Sequence, residues 1–144
     1  MLVSEILRIK GNALYTTPPD APVLTAVRVM AQHDIGSLVV MDHGRMAGIV
    51  TFAEVLRALS DREGTLGTLQ ISEITDRDPL TAAPSIDVNE LRRIMLERHA
   101  RYVPVLDGAM LLGVLSFHDV AKAVLEEQGI ENRMLKSYIS DSLA

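Results

Sequence analysis

Two stretches of the chain carry its most suggestive chemistry: Gly48-Ile49-Val50-Thr51-Phe52-Ala53-Glu54 and Gly113-Val114-Leu115-Ser116-Phe117-His118-Asp119. Each reads Gly, two aliphatics, a hydroxyl residue, Phe, any residue, then an acid. The apolar run suits the end of a buried strand, and the residues after the hydroxyl return to helical spacing, so Thr51 and Ser116 are placed as helix N-caps. The acid three residues on then complements the positive end of the helix dipole. A second reading rests on the same geometry. Free amides and a hydroxyl at a helix start can hold a phosphate, while the acid can accept hydrogen bonds from ribose hydroxyls.

The two motifs belong to a longer duplication. Residues 15–59 and 80–124 align without a gap at an offset of 65, with identities at Thr16/Thr81, Pro19/Pro84, Val23/Val88, Arg28/Arg93, Met30/Met95, Val40/Val105, Asp42/Asp107, Gly48/Gly113, Phe52/Phe117, Val55/Val120 and Ala58/Ala123. These matches far exceed the roughly three that average residue usage gives by chance. Two copies are too few for an open solenoid, which needs at least about three. One domain with pseudo-twofold symmetry, and with two equivalent clefts, is the expected product.

Each copy must supply the elements that position its motif. In the first, residues 22–34 place Val23, Ala26, Val27 and Met30 at helical spacing, with Pro22 suited to a helix start. Two apolar runs around the turn signal Asp42-His43-Gly44 predict a hairpin of short strands, and Phe52, Val55, Leu56 and Leu59 resume a helix. The second copy repeats helix, strand, strand, helix over 88–99, 102–106, 111–116 and 117–125. A short extended stretch precedes each copy. Residues 60–70, polar and with two glycines, read as a linker, and ISEI at 71–74 echoes VSEI at 3–6. That echo has an offset of 68, which implies three extra residues in the loop LRIKGNALY of the first copy. After residue 125 a last helix interrupted at Gly129 is expected, with Ile130, Met134 and Tyr138 on one face and Leu135 and Ile139 beside them. It is expected to pack on its own domain or, failing that, to form a dimer contact.

Composition narrows the function. The 144 residues have the length of one domain, contain no cysteine, and carry a net charge of −5 with a pI near 5.3. An acidic chain does not suit nucleic-acid or anionic-membrane binding. No run of apolar residues is long enough to span a membrane, and the first residues lack a signal-peptide pattern, so a cytoplasmic location is expected. Disulfides, thiolate metal sites and a cysteine nucleophile are excluded. His33, His43, His99 and His118 are scattered without metal-ligand spacing, and no metal site is expected. Ser116, His118 and Asp119 imitate a catalytic triad only on paper, because neighbouring residues at a helix start point in different directions. No phosphate loop of the P-loop or dinucleotide type occurs.

The whole pattern resembles a tandem pair of cystathionine beta-synthase (CBS) domains, a Bateman module. The resemblance covers about residues 1–125 and rests on the Thr-x-x-Pro start, the strand pair with Asp42 or Asp107 at its turn, and the duplicated cap motif. It implies an α+β fold of two CBS-type repeats, each a small sheet of about three strands packed with two helices, plus a C-terminal helix. Segments 1–66, 67–125 and 126–144 are expected as first motif, second motif and helical tail. It further implies a non-enzymatic sensor that binds AMP, ADP, ATP, NAD(H) or an S-adenosyl compound between the motifs and signals by conformational or oligomeric change, with a homodimer and a separate effector protein as partners. The alternative is a ligand-independent assembly module.

Carried over residue by residue, the resemblance makes Ser116 a phosphate or ribose contact, Asp119 the ribose acceptor and His118 a phosphate neighbour. Arg101, Tyr102, Val103 and Pro104 would meet phosphate and line the base, and Thr81, Ala82 and Ala83 would give backbone contacts to adenine. The first copy, with Thr16, Gly36, Ser37, Leu38, Thr51 and Glu54, is expected to form a weaker second site. There Glu54 replaces the usual Asp, Gly36 stands where Arg101 stands, and Ala53 where His118 stands.

Overall fold

The computed structural model describes residues 1–11 and 13–143, with side chains through residue 139. The first copy holds β1 (Thr16–Thr17), α2 (Val23–His33), β2 (Ser37–Asp42), β3 (Arg45–Thr51) and α3 (Phe52–Asp61), preceded by α1 (Val3–Lys10). A single 3-10 turn at Ile71–Glu73 leads into α4 (Val88–Arg98), β4 (Tyr102–Asp107), β5 (Met110–Ser116) and α5 (Phe117–Leu143). The α+β class and the helix, strand, strand, helix unit are as expected from the periodicity.

The duplication persists in the hydrogen-bond register. β2 pairs antiparallel with β3 from Ser37–Thr51 to Asp42–Arg45, and β4 with β5 from Tyr102–Ser116 to Asp107–Met110, each with a shift at the equivalent step, Val40/Met41 and Val105/Leu106. β1 adds to the first sheet by parallel pairing of Thr17 with Val40, and the isolated bridge Ala82–Val105 is its counterpart. Helices α2 and α4 both end on a left-handed residue that is not glycine, Asp34 (φ 51°) and His99 (φ 53°). In each copy the next strand begins three residues later, at Ser37 and Tyr102. The copies differ at the helix start. Asp87 caps α4 through Asn89 and Glu90 amides, while Pro22, just before α2, offers no side-chain cap.

Core membership does not follow chain order. Val3 and Ile6 of α1 are buried with Ala82, Val88, Leu91, Val103 and Leu115 of the second copy, and Leu69 and Ile71 with Val23, Leu38 and Val50 of the first. The backbone fixes this exchange: Val3 N–H donates to Ile86 O (3.0 Å) and Ile71 N–H to Ala21 O (2.9 Å), beside the bridges Leu2–Asp87 and Gln70–Pro22. Each leading segment therefore closes the core of the other copy. The echo of VSEI in ISEI is the trace of this exchange, since both segments make the same contacts on opposite halves.

The tail departs from expectation. α5 runs without a break for 27 residues through Gly129, a length of about 40 Å at the usual helical rise. One glycine costs a helix only about 1 kcal/mol relative to alanine, too little to stop it here. Glu127 pairs with the Met1 ammonium (3.1 Å), but beyond Gly129 the apolar side chains Ile130, Met134, Leu135, Tyr138 and Ile139 are 50–74% exposed. Ala144, the last residue of that expected segment, lies outside the described residues.

Candidate functional site

Both cap motifs form the reciprocal bonds their spacing allows. Ser116 N–H donates to Asp119 Oδ2 (2.9 Å) while Asp119 N–H donates to Ser116 Oγ (3.1 Å). In the first copy Thr51 N–H donates to Glu54 Oε1 (3.0 Å), the Thr51 hydroxyl also faces the Glu54 carboxylate (3.1 Å), and Ala53 N–H donates to Thr51 Oγ1 (3.2 Å). Glu54's longer side chain is thus folded back onto its own cap.

Each motif opens onto a cavity built with the opposite copy. Ser116, His118 and Asp119 line a space of about 410 Å³ together with Lys10, Tyr15, Asp34, Gly36, Ser37 and Tyr102. Thr51 and Glu54 line a smaller one of about 260 Å³ with Asp76, Asp78, Arg98, His99, Arg101 and Tyr102. A third, of about 480 Å³, lies against Phe52, Leu96, Arg101, Phe117 and His118. The cavity walls thus draw residues from both copies. Gly36 and Ser37 border the Ser116 and Asp119 cavity, whereas Arg101 borders the Glu54 cavity, because each cap motif faces the strand start of the opposite half. Arg101 also borders the third cavity, together with Ser116 and His118.

The remaining expected contacts lie elsewhere. Thr81, Ala82, Ala83, Val103 and Pro104 line none of these three cavities. Ala82 N–H donates to Pro104 O (3.0 Å) and Ala82 O accepts from Leu106 N–H (2.9 Å), so this backbone is already engaged in the sheet. Val103 and Leu38 are buried in the two cores, and Thr16 pairs with Val39 in β1.

Tyr102 lines all three cavities, and Gly36 makes room for it. A Cβ on Gly36 would fall 1.9 Å from the Tyr102 hydroxyl oxygen and 3.1 Å from Phe52 Cδ1. The Phe52 and Tyr102 rings meet edge to face at 6.1 Å, and the Arg101 guanidinium lies 5.3 Å from the Phe52 centroid. Burial pushes the Tyr102 hydroxyl above its ordinary pKa, and Arg101 partly opposes the shift.

One contact was not anticipated. Lys10 Nζ, at the end of α1, donates to Asp119 Oδ2 (2.7 Å) and to Val114 O (2.9 Å). Burial is the largest influence on the Asp119 carboxyl and pushes its pKa up, but the Lys10 bond, the Ser116 amide and the Lys10 charge together hold it below its ordinary value. The signal in the sequence was the three-residue excess of the first loop. It lets α1 run eight residues where its counterpart is a three-residue turn, which carries Lys10 across the cavity.

A CBS-domain family model matches residues 3–61 and 71–126, the two halves of the duplication. The chain belongs to the CBS-domain family. A CBS-domain structure from Burkholderia ambifaria MC40-6 is 32% identical and superposes with a TM-score of 0.82, covering 89% of this chain and 96% of that one. The CBS domain pair of protein MJ0100, in complex with 5′-methylthioadenosine and S-adenosyl-L-methionine, is 24% identical with a TM-score of 0.77, covering 88% and 98%. CBSX2 in complex with AMP is 21% identical with a TM-score of 0.73, covering 88% and 98%.

The Asp119 carboxylate is engaged by Ser116 N–H and Lys10, not by His118, so no relay runs through the three neighbouring residues. Among the described residues no group of three or more His, Asp or Glu could hold a metal ion.

Proposed function

We propose that this CBS pair is a non-enzymatic regulatory module that binds an adenosine-containing ligand in the cleft between its copies. The observation that carries the reading is the reciprocal Ser116 and Asp119 cap at the wall of a cavity of about 410 Å³ bordered by both halves, within the range of small-molecule sites. Both protein contacts to Asp119 fall on Oδ2, so one ribose hydroxyl has Oδ1 to donate to while the second, in a bidentate pair, meets Oδ2 where Lys10 already donates. Adenine then lies toward Tyr15, Gly36 and Ser37, and His118 faces the phosphate side. The Glu54 cleft is the weaker site, being smaller and having its carboxylate folded onto Thr51. The complexes of MJ0100 and CBSX2 support the ligand class.

A ligand bordered by both halves changes their relative placement only through unequal affinity for two arrangements. We read the response as passing to a second copy or a separate effector protein in the cytoplasm. No helix among the described residues is long and apolar enough to cross a membrane. Isothermal titration of ligand-stripped protein with AMP, ATP, NADH and S-adenosylmethionine tests the reading. Saturable heat with at least one is expected, and none at millimolar ligand contradicts it.

The exposed apolar residues of the α5 tail favour a second reading, ligand-independent assembly with another protein. In that case Asp119→Ala leaves partner capture unchanged.

A further inference from the structure

The Asp119 cavity contains one side chain that is cationic at every physiological pH. Among the described residues lining it Lys10 is the sole lysine or arginine, beside the carboxylates of Asp34 and Asp119. Arg98 and Arg101 line the Glu54 cavity, and Arg101 also lines the third cavity beside Ser116 and His118. Lys10 is also anchored by the backbone. Gly11, at φ 93°, ends α1 and donates its N–H to Leu7 O (3.1 Å), so the ammonium is presented from a fixed helix end on a flexible four-carbon stem.

Ribose hydroxyls and the Lys10 ammonium therefore compete for one carboxylate. A ligand that takes Asp119 releases a cation inside the same cavity. If its 5′ substituent is neutral or cationic, the ion pair of Lys10 is lost without replacement. If the substituent is a phosphate, the ammonium regains an anionic partner a few ångströms away, and its charge-assisted bonds are restored. With two carboxylates against one lysine, the cavity suits a single phosphate better than the larger negative charge of a polyphosphate.

We propose that Lys10 is the specificity-determining residue of the cleft, which reads the charge of the 5′ substituent and selects adenosine 5′-monophosphate over neutral adenosyl compounds and over ATP. The proposal rests on the adenosine-binding reading above. It assigns a role to a residue outside the cap motif, in a segment whose extra length has no counterpart in the second copy.

The test compares wild type, Lys10→Met and Lys10→Arg by isothermal titration with AMP, ATP and 5′-methylthioadenosine, with thermal melts to verify folding. Wild type is expected to bind AMP more tightly than either other ligand. Lys10→Met is expected to lose at least fivefold for AMP while 5′-methylthioadenosine binds as well or better, since its competitor for Asp119 is gone. Lys10→Arg keeps the order of wild type. Equal changes for AMP and 5′-methylthioadenosine in Lys10→Met, or tighter binding of ATP than AMP by wild type, would overturn the assignment. Failure of all three ligands to bind wild type would overturn the adenosine reading itself.

Discussion

Lys10 and Asp119 stand 109 positions apart in the chain and 2.7 Å apart in space. Their pairing joins α1, which closes the second core, to the helix start that carries the candidate ribose acceptor. It also gives the fold a pH signature. Burial alone would raise the Asp119 pKa, but Lys10 and the Ser116 amide hold it below the ordinary 3.8. A carboxyl depressed in the folded state stabilises that state above the unfolded value, and the contribution fades as pH falls through the folded value. Asp119→Asn is therefore expected to lower the urea midpoint at pH 7 and to approach wild type in acid below about pH 3.8. A midpoint difference that is unchanged on acidification contradicts this.

Gly36 and Tyr102 meet where the two copies face each other. Because the added Cβ of Gly36→Ala would collide with the Tyr102 ring, the substitution is expected to cost about 1–3 kcal/mol, the range for overpacking. Serine stands at the position equivalent to Tyr102 in the first copy. Chemical denaturation of Gly36→Ala, Tyr102→Ser and the double variant should show coupling of about 1 kcal/mol, the double costing less than the sum. Strict additivity would mean that the ring is not what Gly36 accommodates.

The glycines of the two cap motifs are expected to differ. A Cβ on Gly48 would meet the Asp76 carbonyl oxygen at 2.1 Å, whereas one on Gly113 would meet only Leu7 Cδ2, at 2.9 Å. The first neighbour is backbone paired with Ile49 in both directions; the second is the tip of a mobile side chain. Gly48→Ala should cost about 3 kcal/mol and Gly113→Ala less than about 1 kcal/mol. Equal losses in urea unfolding would contradict the difference.

How far these relationships could be read from the sequence depends on whether they are local. Strands, hairpins and the Thr51 and Ser116 caps follow from spacing within a few residues, and the offset of 65 survives even as the shared register shift at Val40 and Val105. The exchange of leading segments is not local. VSEI and ISEI showed that the two segments are equivalent, but nothing in their spacing says which half each one closes. For the same reason spacing alone does not say which strand start borders which cap motif. Lys10 was reachable only through the loop excess. Gly129 misled in the opposite direction, because a single glycine weakens a helix without ending it.

The tail of α5 is expected to be dispensable for the fold. Every described side chain from 130 to 139 is exposed, so removing residues 129–144 should leave the unfolding free energy within about 0.5 kcal/mol of the parent. Sedimentation of parent and truncated protein should then show self-association weakened only in the latter. Loss of cooperative unfolding would show that the tail belongs to the core.

Titration of AMP into wild type, Asp119→Ala and Glu54→Ala tests the central claim most directly. The crossed cleft at Ser116 and Asp119 predicts one dominant site per chain, weakened by about 1–3 kcal/mol in Asp119→Ala, the loss for a hydrogen bond to a charged group, and little changed in Glu54→Ala. Binding that survives in Asp119→Ala and disappears in Glu54→Ala would contradict it.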